Sequence, residues 1–360
     1  MINILLIFGG VSPEHAISVI SARSILSNLD PEKYNPILLG ISKTGKWRTF
    51  TSETFSTIKS VDDDPENDDS ILFDVSKQKG IFINKTFLQV DCAFPVLHGK
   101  GGEDGSIQGF LNTSGIPFVG CDVESSSICM NKILTKTILE KNKIPTSPYT
   151  VVSKSDFYSG NFHPDKLIKD FDLPLFIKGP HGGSSIGVIK VNRPDQLYSA
   201  IIEALKNESE VLVEKSIKGK EIECAVLSTV GPNKTIKVLA SLPGEIKPKR
   251  EFYDYTAKYI EDSTKLVIPA NLTENQIERI QSISISAYSF LKCFGMSRID
   301  CFIYSNDDAE DNIVINEVNT IPGFTAISMY PSLWEASGIS KTQLIDHLVQ
   351  TALVRKDIDK

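Results

Sequence analysis

Four residues late in the chain have the types and spacing to hold a metal–phosphate group: Arg298, Asp300, Glu317 and Asn319. Ile299, Cys301 and Ile303 alternate with Arg298, Asp300 and Phe302, and Ile313-Val314-Ile315 runs directly into Glu317, so both segments read as strands. Residues two apart on a strand share a face, which sets Arg298 beside Asp300 and Glu317 beside Asn319. If the two strands pair, three oxygen donors and one guanidinium crowd a single patch. Burying that set without a counter-cation is costly. Two carboxylates and an amide suit Mg²⁺, which keeps positions open for phosphate oxygens. The expectation is a Mg²⁺–ATP site.

Other segments carry complementary chemistry. Lys178 closes the apolar run Leu175-Phe176-Ile177, and a loop from Gly179 to Gly187 follows with Ser184 and Ser185 at its centre. Glycines there can turn backbone N–H groups toward one point, as in phosphate-holding loops. The loop is neither a Walker loop nor GxGxxG, because no Lys-Ser/Thr follows and its flanks are strands; a flexible hairpin tip is the alternative. Glu214, Lys215 and Glu221 flank the next strand break, either as a hydrogen-bonding edge for adenine and ribose or as solvated strand-end charges. Phe252 to Tyr259 is aromatic for a loop. It reads either as a loop packed by its own side chains or as a lid, with Lys258 supplying charge and Tyr259 a hydroxyl. His98 to Gly105 follows a strand and precedes a helix, where an anion is favoured; a structural histidine is the alternative. Glu14 reads as a first-turn acid.

These groups need a frame. Ile2 to Phe8 is an apolar run ending at Gly9-Gly10, and Ser12-Pro13-Glu14 looks like an N-cap, an N1 proline and a first-turn acid. Strand, glycine turn and helix open a doubly wound α/β unit. Further strands are expected at 36–41, 93–97, 149–152, 175–178, 188–191 and 211–215. A single helix is expected over 124–141, and a long loop over 244–262, of a length that is often functional. Thr273-Glu274-Asn275-Gln276 resembles a capping box ahead of a long amphipathic helix. A last helix starts at Ser340 and carries Leu344, Leu348 and Ala352 on one face. Asp62 to Asp69 reads as an exposed acidic loop.

The 360 residues suffice for two or three domains, and 41% hydrophobic with 23% charged residues is an ordinary globular profile. A net charge of −7 argues against nucleic-acid binding. The six cysteines show no paired metal spacing and read as buried free thiols of a reducing compartment. There is no basic leader and no apolar run near ~20 residues, so a cytoplasmic protein without membrane contact is expected. A dinucleotide-binding oxidoreductase would need GxGxxG, which Gly9-Gly10-Val11-Ser12-Pro13 breaks. A non-catalytic nucleotide module would need a lost metal ligand, and Asp300, Glu317 and Asn319 are all present.

Taken in order, the segments resemble the ATP-grasp enzymes, and within them the D-alanine–D-alanine ligases. The resemblance runs from about residue 2 to 353. It rests on Gly9 to His15, Leu97-His98-Gly99 with Gly102-Glu103-Asp104-Gly105, Met130-Asn131-Lys132, and Lys178 with Gly183 to Gly187. Glu214-Lys215 with Glu221, Tyr253 to Tyr259, Arg298-Ile299-Asp300, and Asn316 to Gly323 complete it. It implies an N-terminal doubly wound, Rossmann-like substrate and dimerisation domain (1–122), then a two-domain α+β ATP-grasp fold (123–214 and 215–360, with the lid at 244–262). By the resemblance, Lys132 and Lys178 hold ATP phosphates under Ser184 and Ser185. Glu214, Lys215, Ile217 and Glu221 bind adenine and ribose, with Phe252, Lys258 and Asn316 also in the ATP site. Asp300, Glu317 and Asn319 carry two Mg²⁺ ions, with Mn²⁺ able to substitute. Glu14 anchors the first D-alanine, Arg298 and the Gly323 amide meet the oxyanion, and Ser328 with the Met329 amide holds the second carboxylate. His98, or Tyr259 through Glu14 and Ser184, are the candidate bases. The implied reaction is ATP-dependent synthesis of D-alanyl-D-alanine through an acyl phosphate, for peptidoglycan precursors, by a homodimer. Ligation to D-serine or D-lactate is the alternative.

Overall fold

Ile4 through Phe8 are fully buried, and an unbroken apolar run of this kind is what a strand covered on both faces needs. It forms β1 (Ile2–Gly9), which pairs in parallel with β2 (Tyr34–Ile41). β3 (Trp47–Phe50) returns antiparallel on β2. An antiparallel three-stranded sheet follows, made of β4 (Ile71–Asp74), β5 (Gly80–Ile83) and β6 (Thr86–Gln89). β7 (Cys92–Pro95) then pairs in parallel with the other side of β1, giving the order β3-β2-β1-β7. The computed structural model describes residues 1–64, 69–76, 79–182, 187–248, 264–305 and 311–358.

A second sheet is antiparallel throughout. It contains β8 (Tyr149–Ser153), β9 (Leu175–Lys178), β10 (Ile189–Val191) and β11 (Glu210–Lys215) in the order β10-β9-β11-β8. The glycine-rich segment after Lys178 therefore joins two antiparallel strands, as its flanks suggest. The third sheet holds β12 (Lys220–Val230), β13 (Ile236–Ala240), β14 (Gly244–Pro248), β15 (Thr264–Val267), β16 (Met296–Ser305) and β17 (Asp311–Asn319). Its order is β15-β14-β12-β16-β17, with β13 also on β12. The molecule is thus a mixed α/β protein of several sheets.

Three expectations are corrected. The loop foreseen from residue 244 opens as β14, because Gly244–Ile246 find partners in Glu221–Glu223 that local composition does not reveal. The helix foreseen over 124–141 is two, Val123–Met130 and Lys132–Lys141. Asn131 between them is extended, and its side chain accepts from the amides of Ile133 and Leu134 at 3.0 and 3.1 Å. The Asn131 cap starts a fresh helix and leaves the Lys132 amide to bond Pro180 O at 3.0 Å. The first helix begins at His15 rather than at Pro13, and Ser12 Oγ accepts instead from the Glu14 amide.

The cores explain how the units sit together. One cluster joins β1, β7 and the helix His15–Asn28 to β12, the helix Met329–Ala336 and the helix Lys341–Ile358. The N- and C-terminal parts thus share one apolar interior. Leu344, Leu348 and Ala352 lie in it, as their spacing foretells. The β8–β11 sheet has a core of its own. All six cysteines are buried and free. Among the described residues no helix is long and apolar enough to cross a membrane.

Arg355 ties the last helix to the start of the helical pair. It lies 3.0 Å from Asp122, donates to Gly120 O at 3.1 Å, and stacks 4.5 Å from the Phe294 ring. Arg355→Met should cost about 1–2 kcal/mol through the lost charge-assisted bonds and stacking. Urea unfolding of the two proteins checks this, and an unchanged midpoint would show the clamp to be idle.

Candidate active site

The strand pairing that the chemistry needs is present. Arg298 stands opposite Asn319 and Asp300 opposite Glu317 across β16 and β17. On the other flank of β16, Asp300 faces Glu223 of β12. Glu223, Asp300 and Glu317 therefore form a row over three adjacent strands, where directly opposed side chains stand roughly 5 Å apart. Glu223 and Asp300 are only 3% and 4% exposed, so their repulsion is poorly screened. Arg298 answers it. Its Nε and Nη2 each donate to an oxygen of Asp300 at 2.7 Å, and Nε lies 3.1 Å from Glu223. Burial works against the guanidinium charge, but Asp300 and Glu223 hold its pKa well above the usual value. Asn319 donates to Asp300 at 3.0 Å, and Lys132 lies 3.9 Å from Glu317.

A bulge shapes the next step. Asp300 pairs with Glu317 but Cys301 with Ile315, so Asn316 is an extra residue in β17. Simple alternation would turn Asn316 away from Glu317. Because of the bulge, both line the same cleft of ≈ 470 Å³ between the second and third sheets. Lys132, Lys178, Glu214, Lys215, Ile217 and Glu221 line it too. The ATP-binding candidates that fall within the described residues thus converge on one cavity. Ser184, Ser185, Phe252, Lys258 and Tyr259 lie outside the described residues.

Glu214 is the buried hub of the cleft wall. Its Oε2 accepts from Lys178 at 2.7 Å and its Oε1 lies 3.2 Å from Lys136. Burial opposes the carboxylate charge, yet the two lysines bring its pKa below the ordinary value. Sequence reading misses Lys136 and Glu223. Lys136 lies four residues after Lys132, a spacing that shares a helix face. Glu223 is two residues after Glu221 on a strand, which shares a sheet face.

The other end of the site is built from loops. Gly99 is left-handed (φ +69°), and a Cβ there would meet Ser12 Oγ at 3.0 Å and Glu14 Oε2 at 3.2 Å. Only glycine lets Glu14 stand so close to the end of the β7 extension. The His98 ring is engaged on both sides. Nδ1 must donate to Ile321 O (3.0 Å), because a carbonyl only accepts; Nε2 faces Ser21 Oγ at 3.4 Å, which in turn accepts from the Phe324 amide at 3.2 Å. Burial lowers the His98 pKa, opposed by Glu14, and the ring's contacts hold the 321–324 loop. Gly323 abuts Ser328: a Cβ at 323 would be 2.8 Å from Ser328 Oγ. Ser328 is the N-cap of the helix Met329–Ala336, whose free amides favour a carboxylate.

Hard oxygen donors from Asp300, Glu317 and Asn319, with Glu223 behind them, fit a Mg²⁺ that takes its remaining ligands from phosphate and water. Among the described residues no group of three or more His, Cys, Asp or Glu side chains is arranged to hold a metal ion by itself.

Known proteins resemble the chain over nearly its whole length. Residues 3–121 match the D-ala D-ala ligase N-terminus family and residues 138–350 the D-ala D-ala ligase C-terminus family. A D-alanine–D-alanine ligase of Caldicellulosiruptor bescii is 41% identical over 364 residues, covering 98% of this chain and 95% of that protein. One from Clostridium acetobutylicum is 41% identical and covers 99% of each. The solved D-alanine–D-alanine ligase from Coxiella burnetii superposes with a TM-score of 0.86 at 34% identity, covering 99% of this chain and 95% of that one. The VanG D-Ala:D-Ser ligase from Enterococcus faecalis gives 0.84 at 34% identity, covering 98% and 99%. Fold and site define an ATP-dependent ligase. The chain belongs to the D-alanine–D-alanine ligase family.

Glu103 is a further residue that sequence reading does not single out, although the Gly102-Glu103-Asp104-Gly105 motif contains it. Its carboxylate accepts from the Gly99 amide at 2.8 Å and the Ile321 amide at 3.3 Å, so it joins the N-terminal loop to the C-terminal one. Burial first, then Glu14, raises its pKa from 4.5 to about 8. The folded state therefore binds a proton that the unfolded state releases between these values, and stability contributed by this group falls as pH rises through that window. Glu103→Gln should flatten this fall. Denaturation midpoints of both proteins from pH 5 to 8.5 test it; parallel curves would refute it.

Proposed function

We propose that the chain joins two D-alanines into D-alanyl-D-alanine with ATP, through an acyl phosphate on the first, as a step toward peptidoglycan precursors. The observation that carries the reading is the row Glu223–Asp300–Glu317 with Arg298, set at the edge of a cleft lined by Lys132 and Lys178. Two lysines and a guanidinium beside a carboxylate row suit a triphosphate held by divalent ions.

In this reading Glu14 binds the ammonium of the first D-alanine and turns its carboxylate toward the cleft. Lys132 and Lys178 offset charge on the phosphates, and Lys215, Ile217 and Glu221 border the nucleoside. Mg²⁺ at Asp300, Glu317 and Asn319, two ions by the resemblance, would supply Lewis-acid stabilisation of the moving phosphoryl group. The second D-alanine docks its carboxylate at Ser328 and the Met329 amide, which leaves its deprotonated amine to attack the acyl carbon; the tetrahedral intermediate then collapses, the acyl–oxygen bond breaks, inorganic phosphate leaves, and the nitrogen gives up one proton to the departing phosphate. Arg298 and the Gly323 amide meet the oxyanion, each donor contributing on the order of 3 kcal/mol. His98 and Glu103 hold the loops that carry Glu14 and Gly323 in register. The domain division at 1–122, 123–214 and 215–360, Rossmann-like and then ATP-grasp, belongs to the same reading; the separate core of the β8–β11 sheet supports the middle unit.

The reaction is tested by ATP turnover and product analysis with D-alanine, D-serine or D-lactate as second partner. Dipeptide with D-alanine should dominate, in line with the names of the curated relatives; dominant ester or D-alanyl-D-serine would overturn it. Glu317→Ala should abolish Mg²⁺-dependent phosphate release with an unchanged circular dichroism spectrum. Turnover close to that of the unaltered protein would reject the metal assignment.

A further inference from the structure

We propose that Lys136 is a positioning residue of the nucleotide site: by sharing Glu214 with Lys178, it leaves the Lys178 ammonium with charge to offer the phosphates. The inference rests on the ATP reading above. Lys136 is 1% exposed, and so deep a lysine persists only when paired. Its Nζ donates to Ser147 Oγ at 2.7 Å, lies 3.2 Å from Glu214 Oε1, and stands 5.3 Å over the Tyr149 ring. It does not line the cleft, whereas Lys178 and Glu214 do. Whatever it does for a nucleotide passes through Glu214.

The charges make the role concrete. One carboxylate between two ammonium groups leaves the trio with a net charge of +1. That charge emerges at Lys178, whose Nζ also reaches Asn316 Oδ1 at 3.4 Å beside the phosphate end of the cleft. Glu221 and Glu317 draw on the same ammonium, and Glu140 faces Lys136. Without Lys136, Glu214 would be answered by Lys178 alone at 2.7 Å, a neutral pair that attracts phosphate weakly. A lysine serving only to fill the core would have no such effect, since methionine fills nearly the same volume.

Calorimetric titration of the full-length protein with a non-hydrolysable ATP analogue and with adenosine separates the two. In Lys136→Met the ATP analogue should bind about ten-fold more weakly while adenosine changes less than about two-fold. Lys136→Arg should bind both as the unaltered protein does. Lys136→Gln, which keeps a donor toward Ser147 but no charge, should weaken the ATP analogue as Lys136→Met does and leave adenosine within about two-fold. Equal weakening for both ligands, no weakening, or unchanged ATP-analogue binding in Lys136→Gln overturns the proposal. Should Lys136→Met fail to fold, Lys136→Gln decides. If the unaltered protein binds no ATP analogue, the nucleotide reading itself falls; if it binds and only the variants disobey, this inference alone falls.

Discussion

Three carboxylates stand side by side across β12, β16 and β17, and most of the site exists to make that tolerable. Like charges directly opposed on a sheet repel, and burial removes the water that would screen them. What forces them together is the opposite face of the same strands. Ile222, Cys224, Ile299, Cys301, Ile315 and Val318 are all buried in one apolar cluster. A one-residue slip would expose that cluster and bury the acids in it. The register is therefore set by apolar burial behind the sheet, and the electrostatic cost in front is offset by Arg298 and Lys132.

The two ends of the site are held by different physics. Glu14, His98 and Gly323 belong to parts that share a single core, cross-linked by Glu103 to two backbone amides and by His98 to Ile321 O. The cleft lies between the β8–β11 sheet, which has a core of its own, and the third sheet, whose apolar cluster also takes in Cys129 and Leu139 of the helical pair. Lys178 to Asn316 and the short Thr146–Ile315 bridge cross from one to the other.

Much of this was legible locally. The alternation through Arg298–Ile303 reads correctly as a strand with Arg298 and Asp300 on one face. The capping box at Thr273 and Gln276 starts the helix Glu274–Phe290 as its spacing says, and Lys178 precedes a hairpin. Where local reading went astray, a distant partner decided. β14 looks like loop because its polar residues are paired by β12 and β15 rather than by their own pattern. The helical break at Asn131 depends on a cap that competes with continuous helix, and the freed Lys132 amide finds Pro180 in the loop after β9.

Residue types and short-range periodicity, which are properties of the chain itself, determined the classes of chemistry available: hard oxygen donors, phosphate-facing lysines, glycine turns and an acid ahead of a helix. They could not say which charges share a counter-ion, because pairing depends on strand register and on side chains brought together from far along the chain. Glu223 enters the carboxylate row only through the β12–β16 register. Lys136 meets Glu214 only because the helix Lys132–Lys141 packs against β17 and carries it to the end of β11. Asn316 turns into the cleft only because β17 carries one residue more than its partner.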